Sequence, residues 1–253
     1  MNVSAPNQRN IKLVLEYDGT NYHGWQSQAG SGKRTIQETL EQALSLLTHE
    51  KESLVSSGRT DAGVHALGQV ANFKTQSAIP AAAWAPALNR LLPPDIRVLV
   101  SEEASSGFHA RYSAKTKTYL YRIFNRRAPT SLYRNYAWHI NLPLNIHRMR
   151  RAAIVLLGKH DFSSFRSSGC GARSPVRTVK SMVIRKNRDF IELWIEADAF
   201  LQYMVRNITG TLAEVGLGRF SPDDVKYILE SKDRTAAGKT APPQGLYLVR
   251  VDY

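Results

Sequence analysis

The chain has 253 residues, 43% of them apolar by type, enough for one large domain or two small ones. Lys and Arg number 34 against 21 Asp and Glu, a formal charge of +13 that favours a polyanionic partner, nucleic acid ahead of acidic lipid. No run of eighteen apolar residues offers a membrane span, residues 1–10 lack the apolar core of a secretion signal, and the single Cys170 excludes an internal disulfide, so a reducing cytoplasm is expected.

Residues 1–10 read as a disordered tail. Ile11, Leu13, Leu15 and Tyr17 alternate as one face of a strand, which ends at the Asp18-Gly19 turn signal. Gln28 to Arg34 is a Gly/Ser/Lys loop whose basic end is a candidate phosphate contact. Thr35 followed by Glu38 forms a capping box, and Ile36, Leu40, Ala43, Leu44 and Leu47 share one face of the helix it opens. Gln69–Phe73 reads as a strand, Pro80–Leu92 as a second helix, Ile96–Val100 as a strand and 101–114 as a connector. The second half opens on a strand, Lys115–Ile123, with basic and aromatic residues interleaved. A helix over Ile146–Leu157 carries Arg148, Arg150 and Arg151 and stops at Gly158. Strands 178–185 and 189–196 form a hairpin with Ile191, Leu193 and Ile195 on one side. A helix over Phe200–Val215 buries Leu201, Met204, Val205, Ile208, Leu212 and Val215. Ser221 and Pro222 supply the N-cap and first turn of a further helix, and Leu246–Val251 is a closing strand. The pattern is α+β, with halves at 11–105 and 106–253.

The stretch with most chemistry is Gly58-Arg59-Thr60-Asp61-Ala62-Gly63-Val64-His65. Asp61 is the only acid between Ser53 and Pro94, and it stands between two glycines in a strongly basic chain. An Asp in such a loop commonly serves the turn itself. Here the glycines also permit positive φ and close approach of a ligand. Ordinary glycosidases use two carboxylates, and this stretch offers one. No His-Glu-x-x-His pattern, zinc ribbon, phosphate loop or dinucleotide fingerprint occurs, so neither a metal nor another cofactor is expected. His65, entering a strand, reads as structural.

Extended to Ala66, Gly68 and Gln69, this stretch resembles the signature of the tRNA pseudouridine synthases that modify positions 38, 39 and 40 of the anticodon arm. Further segments agree with that family: Tyr17–Gln26, with Tyr22 where the family more often has Phe; Thr118–Tyr121; Phe200–Asn207; and Ala241–Leu248. The resemblance spans 11–253. It implies a pseudouridine synthase fold of two similar mixed α/β-sheet halves with a basic cleft between them, and a homodimer that grips tRNA across both subunits. It also implies site residues. Asp61 is catalytic, Arg206 is its ionic partner, the Tyr119 ring contacts the flipped uridine, and Leu246 packs on the uracil. Arg59, beside Asp61, is a helper in flipping or a second counter-charge.

On residues alone, Arg206 is also readable as a snorkelling Arg and Tyr119 as a strand core residue. Isomerising uridine needs one carboxylate, which either attacks C1′ to form a covalent intermediate or removes a sugar proton to give a glycal. Two rivals use the same basic surface: a non-catalytic RNA-binding protein, and a hydrolase that cleaves the same bond and frees uracil. Residues 166–175 receive no individual role, although Arg166, Arg173 and Arg177 make the loop a candidate RNA-contacting flap.

Overall fold

Alternating apolar residues turn one face of the first strand, β1 (Arg9–Tyr17), into core: Ile11, Leu13, Leu15 and Tyr17 are all buried. The computed structural model describes residues 8–26 and 32–253. The strand begins inside the expected tail. Arg9 pairs with Glu103, and the buried Asn10 donates to the carbonyls of Ser105 and Phe108, so these two residues have partners that a disordered tail would lack. Residues 1–7, and most of the Gln28–Arg34 loop, lie outside the described residues.

The described residues divide into two compact units. One runs to Ala114 and includes Leu248–Tyr253; the other is Lys115–Tyr247. In the first unit, α1 (Ile36–Thr48) starts at Thr35, whose side chain accepts from Glu38 N at 3.3 Å, and it buries Ile36, Leu40, Ala43 and Leu44. The short β2 (Val55–Ser56) and the long β3 (His65–Thr75) follow. Then come α2 (Trp84–Leu91), entered through a 3-10 turn at Ala81–Ala83, and β4 (Ile96–Ala104). β1 lies between β3 and β4, antiparallel to both, and β2 pairs with β3.

The second unit holds β5 (Thr116–Asn125), β6 (Trp138–Ile140), α3 (Ile146–Ile154), β7 (Gly158–Asp161), β8 (Val176–Asn187), β9 (Phe190–Ala197), α4 (Met204–Gly216) and α5 (Asp224–Ser231). Its strand order is β5-β9-β8-β7, antiparallel throughout, with β6 parallel to β5. Ile191, Leu193 and Ile195 are fully buried, as the hairpin pattern requires.

The final strand, β10 (Leu246–Asp252), crosses from one unit to the other. The sequence reading gives all of 106–253 to the second half, whereas residues from Leu248 belong with the first unit. Two features explain the difference. Gly68 in β3 leaves the space that the Val249 carbonyl fills, and Tyr253 donates to Ala110 O at 2.9 Å while its ring lies 4.8 Å from that of Phe108. The helix expected from Phe200 begins four residues later, because Tyr203 adopts a left-handed φ of 64° that α-helix cannot continue through.

Candidate active site

The loop 58–65 is gripped by the chain segment that follows β1. Tyr17 and Thr60 share a hydrogen bond at 2.9 Å between their hydroxyls. Trp25 N donates to Thr60 O at 3.0 Å, and Gly63 N donates to Tyr22 O at 3.2 Å. Both glycines of the gripping segment are needed. Gly24 has φ +84°, and a Cβ there would collide with the Thr60 carbonyl oxygen and approach the Asp61 carbonyl carbon to 3.0 Å. A Cβ on Gly19 would strike the Val64 carbonyl. The two segments that sequence reading singled out separately, 17–26 and 58–69, are therefore one packed structure.

From below, Gln69 completes the clamp. Its side-chain oxygen accepts from the buried Ser57 Oγ at 2.6 Å, and its amide donates to the half-buried Gly58 O at 2.9 Å. Burial pushes the Tyr17 phenol up to about 12, and hydrogen bonds from Thr60 and Gln69 act in the opposite direction, so this hydroxyl stays neutral at working pH. His65 Nδ1 lies 3.1 Å from both Gly19 N and Asp18 Oδ1. The nitrogen accepts from Gly19 when its ring proton is on Nε2, and it pairs with Asp18 when it is protonated. In either state the buried ring ties the end of the loop to the turn after β1, which is a structural role.

Asp61 sits on this scaffold half-buried, at the start of a turn closed by Val64 N donating to Asp61 O at 3.2 Å, with Gly63 at φ +75°. Arg59, two residues earlier, is exposed. The closing hydrogen bond of this turn is made by the backbone, and the chain neighbours of Asp61 are Thr60 and Ala62.

The remaining expected site residues belong to the second unit. Tyr119 and Tyr121 alternate onto the same face of β5. Tyr119 is 8% exposed, and its ring meets Phe200 edge-on at 4.9 Å. Tyr121 donates to Pro242 O at 2.6 Å, and burial raises its pKa well above the ordinary phenol value, against the pull of Arg206. Arg206, half-buried in the first turn of α4, donates through Nε to Ala241 O at 2.8 Å and lies over the Tyr203 ring at 4.7 Å. Leu246 opens β10, buried, just after Gly245. A Cβ on that glycine would come within 2.7 Å of the Tyr121 ring. Tyr119, Tyr121, Arg206 and Leu246 thus share one unit, while Asp61 and Arg59 share the other.

Comparison with known proteins matches this chain to a family model described as tRNA pseudouridine synthase, over residues 13–113 and 152–253. The chain belongs to the tRNA pseudouridine synthase family. It is 54% identical to the tRNA pseudouridine synthase A of Thermoanaerobacter sp. (strain X514) over 97% of this chain and all of that one. It is 50% identical to the enzyme of the same name from Acetivibrio thermocellus over the same shares. It is 48% identical to the tRNA pseudouridine synthase A 2 of Clostridium tetani, covering 97% of this chain and 99% of that one. Members of this synthase family are isomerases.

Several arginines of this synthase-family chain, each a candidate phosphate contact by charge, already bond backbone carbonyls. Arg126 donates to the Ala128 and Pro129 carbonyls, Arg148 to Phe220 O and Arg150 to Ile184 O; Arg126, Arg127, Arg150 and Arg151 are all exposed, and Arg148 is half-buried. The 166–175 loop is anchored beside α4 by Ser167 N donating to Gln202 O at 3.0 Å. The residues that sequence reading passed over are Thr60, Gln69 and Gly24. Their roles depend on contacts between segments far apart in the chain, although Thr60 and Gln69 stand inside the recognised signature and Gly24 inside the 17–26 segment.

Proposed function

We propose that this chain isomerises uridine to pseudouridine at positions 38, 39 and 40 of the tRNA anticodon stem-loop, with Asp61 as the one catalytic carboxylate. The observation that carries this reading is the clamped loop, in which Tyr17, Tyr22, Gly24 and Trp25 hold the Gly58–His65 turn and leave Asp61 half-buried on it. The names of the curated relatives support tRNA as the substrate.

In the reaction the C1′–N1 bond of uridine breaks, the uracil turns over, and C5 bonds to C1′. N1 gains a proton and C5 loses one, so the atoms balance with no redox partner. Asp61 either attacks C1′ or takes a sugar proton. Arg206 serves as the ionic partner that keeps Asp61 ionised, since a nearby cation favours the charged carboxylate. Tyr119 stacks on the extruded base and Leu246 packs against it, while Arg59 assists flipping. The same resemblance supports a basic cleft that receives the RNA, a homodimer and a cytoplasmic location. Among the described residues no helix is long and apolar enough to cross a membrane.

Incubation of the purified protein with unmodified tRNA, followed by pseudouridine mapping and assay of free uracil, tests the reading. Pseudouridine confined to 38–40 is expected. Free uracil would identify a hydrolase, and unchanged but bound RNA a binding protein.

A further inference from the structure

Residues 238–241 lie along α4 because two glycines let them. A Cβ on Gly210 would collide with the Lys239 carbonyl oxygen, and one on Gly238 would come within 2.8 Å of Thr211 Cα. At the end of this contact one residue holds Arg206 twice: Ala241 N donates to Arg206 O at 3.1 Å, and Arg206 Nε donates to Ala241 O at 2.8 Å. The direction of the guanidinium is thus tied to the position of the Ala241 backbone.

That backbone is itself fastened by a buried polar network. Asn207, fully buried and next to Arg206, accepts at Oδ1 from Thr240 Oγ1 at 2.7 Å and from an Arg234 terminal nitrogen at 3.0 Å. The same Arg234 nitrogen donates to Thr240 Oγ1 at 3.0 Å, closing a triangle. The Asn207 amide donates to Phe165 O at 2.8 Å, which fixes its orientation and ties in the segment after β7. Arg234 opens a 3-10 turn capped by Asp233, whose carboxylate accepts from Thr235 N at 2.8 Å and from Thr235 Oγ1 at 2.7 Å. A buried amide with satisfied partners on both of its atoms has one low-energy position. The residue beside it, Arg206, inherits that constraint.

We propose that Arg234 and Thr240 are positioning residues: through Asn207 they fix the 238–241 strap, and the strap aims the Arg206 guanidinium. This rests on the assignment of Arg206 as the ionic partner of the catalytic carboxylate. Misplacing such a group by about 1 Å costs on the order of 10²-fold in rate. Arg234→Ala should therefore slow single-turnover pseudouridine formation by about 10- to 100-fold, with tRNA affinity held within about threefold. A carboxylate whose cation has moved has a raised pKa, so the acid limb of the pH–rate profile should shift to higher pH.

The deciding measurement is a double-mutant cycle with Arg206→Ala, following single-turnover rate, tRNA binding and thermal melting. Adding Arg234→Ala to Arg206→Ala should change the rate by less than about threefold, because the strap has nothing left to aim. Thr240→Val, which removes a single hydroxyl, runs in parallel, so that misfolding of Arg234→Ala still leaves a readable cycle. Multiplicative losses in the double variants, or an unshifted acid limb in a slow single variant, overturn the strap proposal alone. A wild-type rate for Arg206→Ala overturns the assignment of Arg206, and the strap proposal with it.

Discussion

Gly24 shows how much of the site depends on one missing methyl group. Its φ of +84° and its contact with the Thr60 carbonyl leave no place for a Cβ. Gly24→Ala should cost about 2–4 kcal/mol, from left-handed strain plus the displaced loop, and should lower turnover together with the urea midpoint. Tyr119 offers a cleaner separation of ring from hydroxyl. Its ring is edge-on to Phe200, and the residue is buried with 8% of its surface exposed. If stacking is its contribution, Tyr119→Phe keeps tRNA binding and loses much less rate than Tyr119→Ala, for which base–aromatic stacking sets a scale of about 1–3 kcal/mol. Equal and large losses would assign the chemistry to the hydroxyl.

Among the elements, those specified by local pattern were legible in the sequence. Alternation identified β1 and the β8–β9 hairpin, and the Thr35/Glu38 spacing located the start of α1, where Thr35 does accept from Glu38 N. Thr35→Ala should destabilise the first unit by about 1 kcal/mol, read as a lower urea midpoint with an unchanged slope. Ser221 Oγ does accept from Asp224 N at 3.1 Å, but α5 opens only at Asp224, with Asp223 at its N-cap, later than the Ser221–Pro222 pair predicts. Elements decided by distant contacts were not legible. Apolar periodicity continues through Phe200 and Leu201, yet α4 waits for Met204, because Tyr203 breaks the backbone and no periodicity encodes φ. β10 reads as the close of the second half, but its later residues lie with the first unit, where Gly68 makes room for Val249. The site shows the same division. The motif around Asp61 was visible residue by residue, whereas the grip of 17–25 upon it required the fold.

At the scale of the whole molecule, a formal charge of +13 predicts that tRNA affinity falls steeply with salt. Neutralising about six phosphates gives a log–log slope of roughly −4 to −5, and a slope near zero would contradict an electrostatic mode of binding. The arginines responsible are better sought at Arg127 and Arg151, which are exposed, than at the half-buried Arg148; Arg126 and Arg150 are exposed too but already bond backbone carbonyls. The central claim concerns a single carboxylate on this basic body, and one paired measurement tests it most directly: single-turnover pseudouridine formation and tRNA binding by Asp61→Asn on the same preparation. Asn keeps the shape of the turn, whose hydrogen bond is made by the backbone, but it cannot attack C1′ or accept a sugar proton. Turnover should fall by a factor on the order of 10⁵ or more, while binding stays the same or tightens slightly with the loss of a negative charge near the RNA. Near-normal turnover, or a folded variant that no longer binds tRNA, would contradict the account.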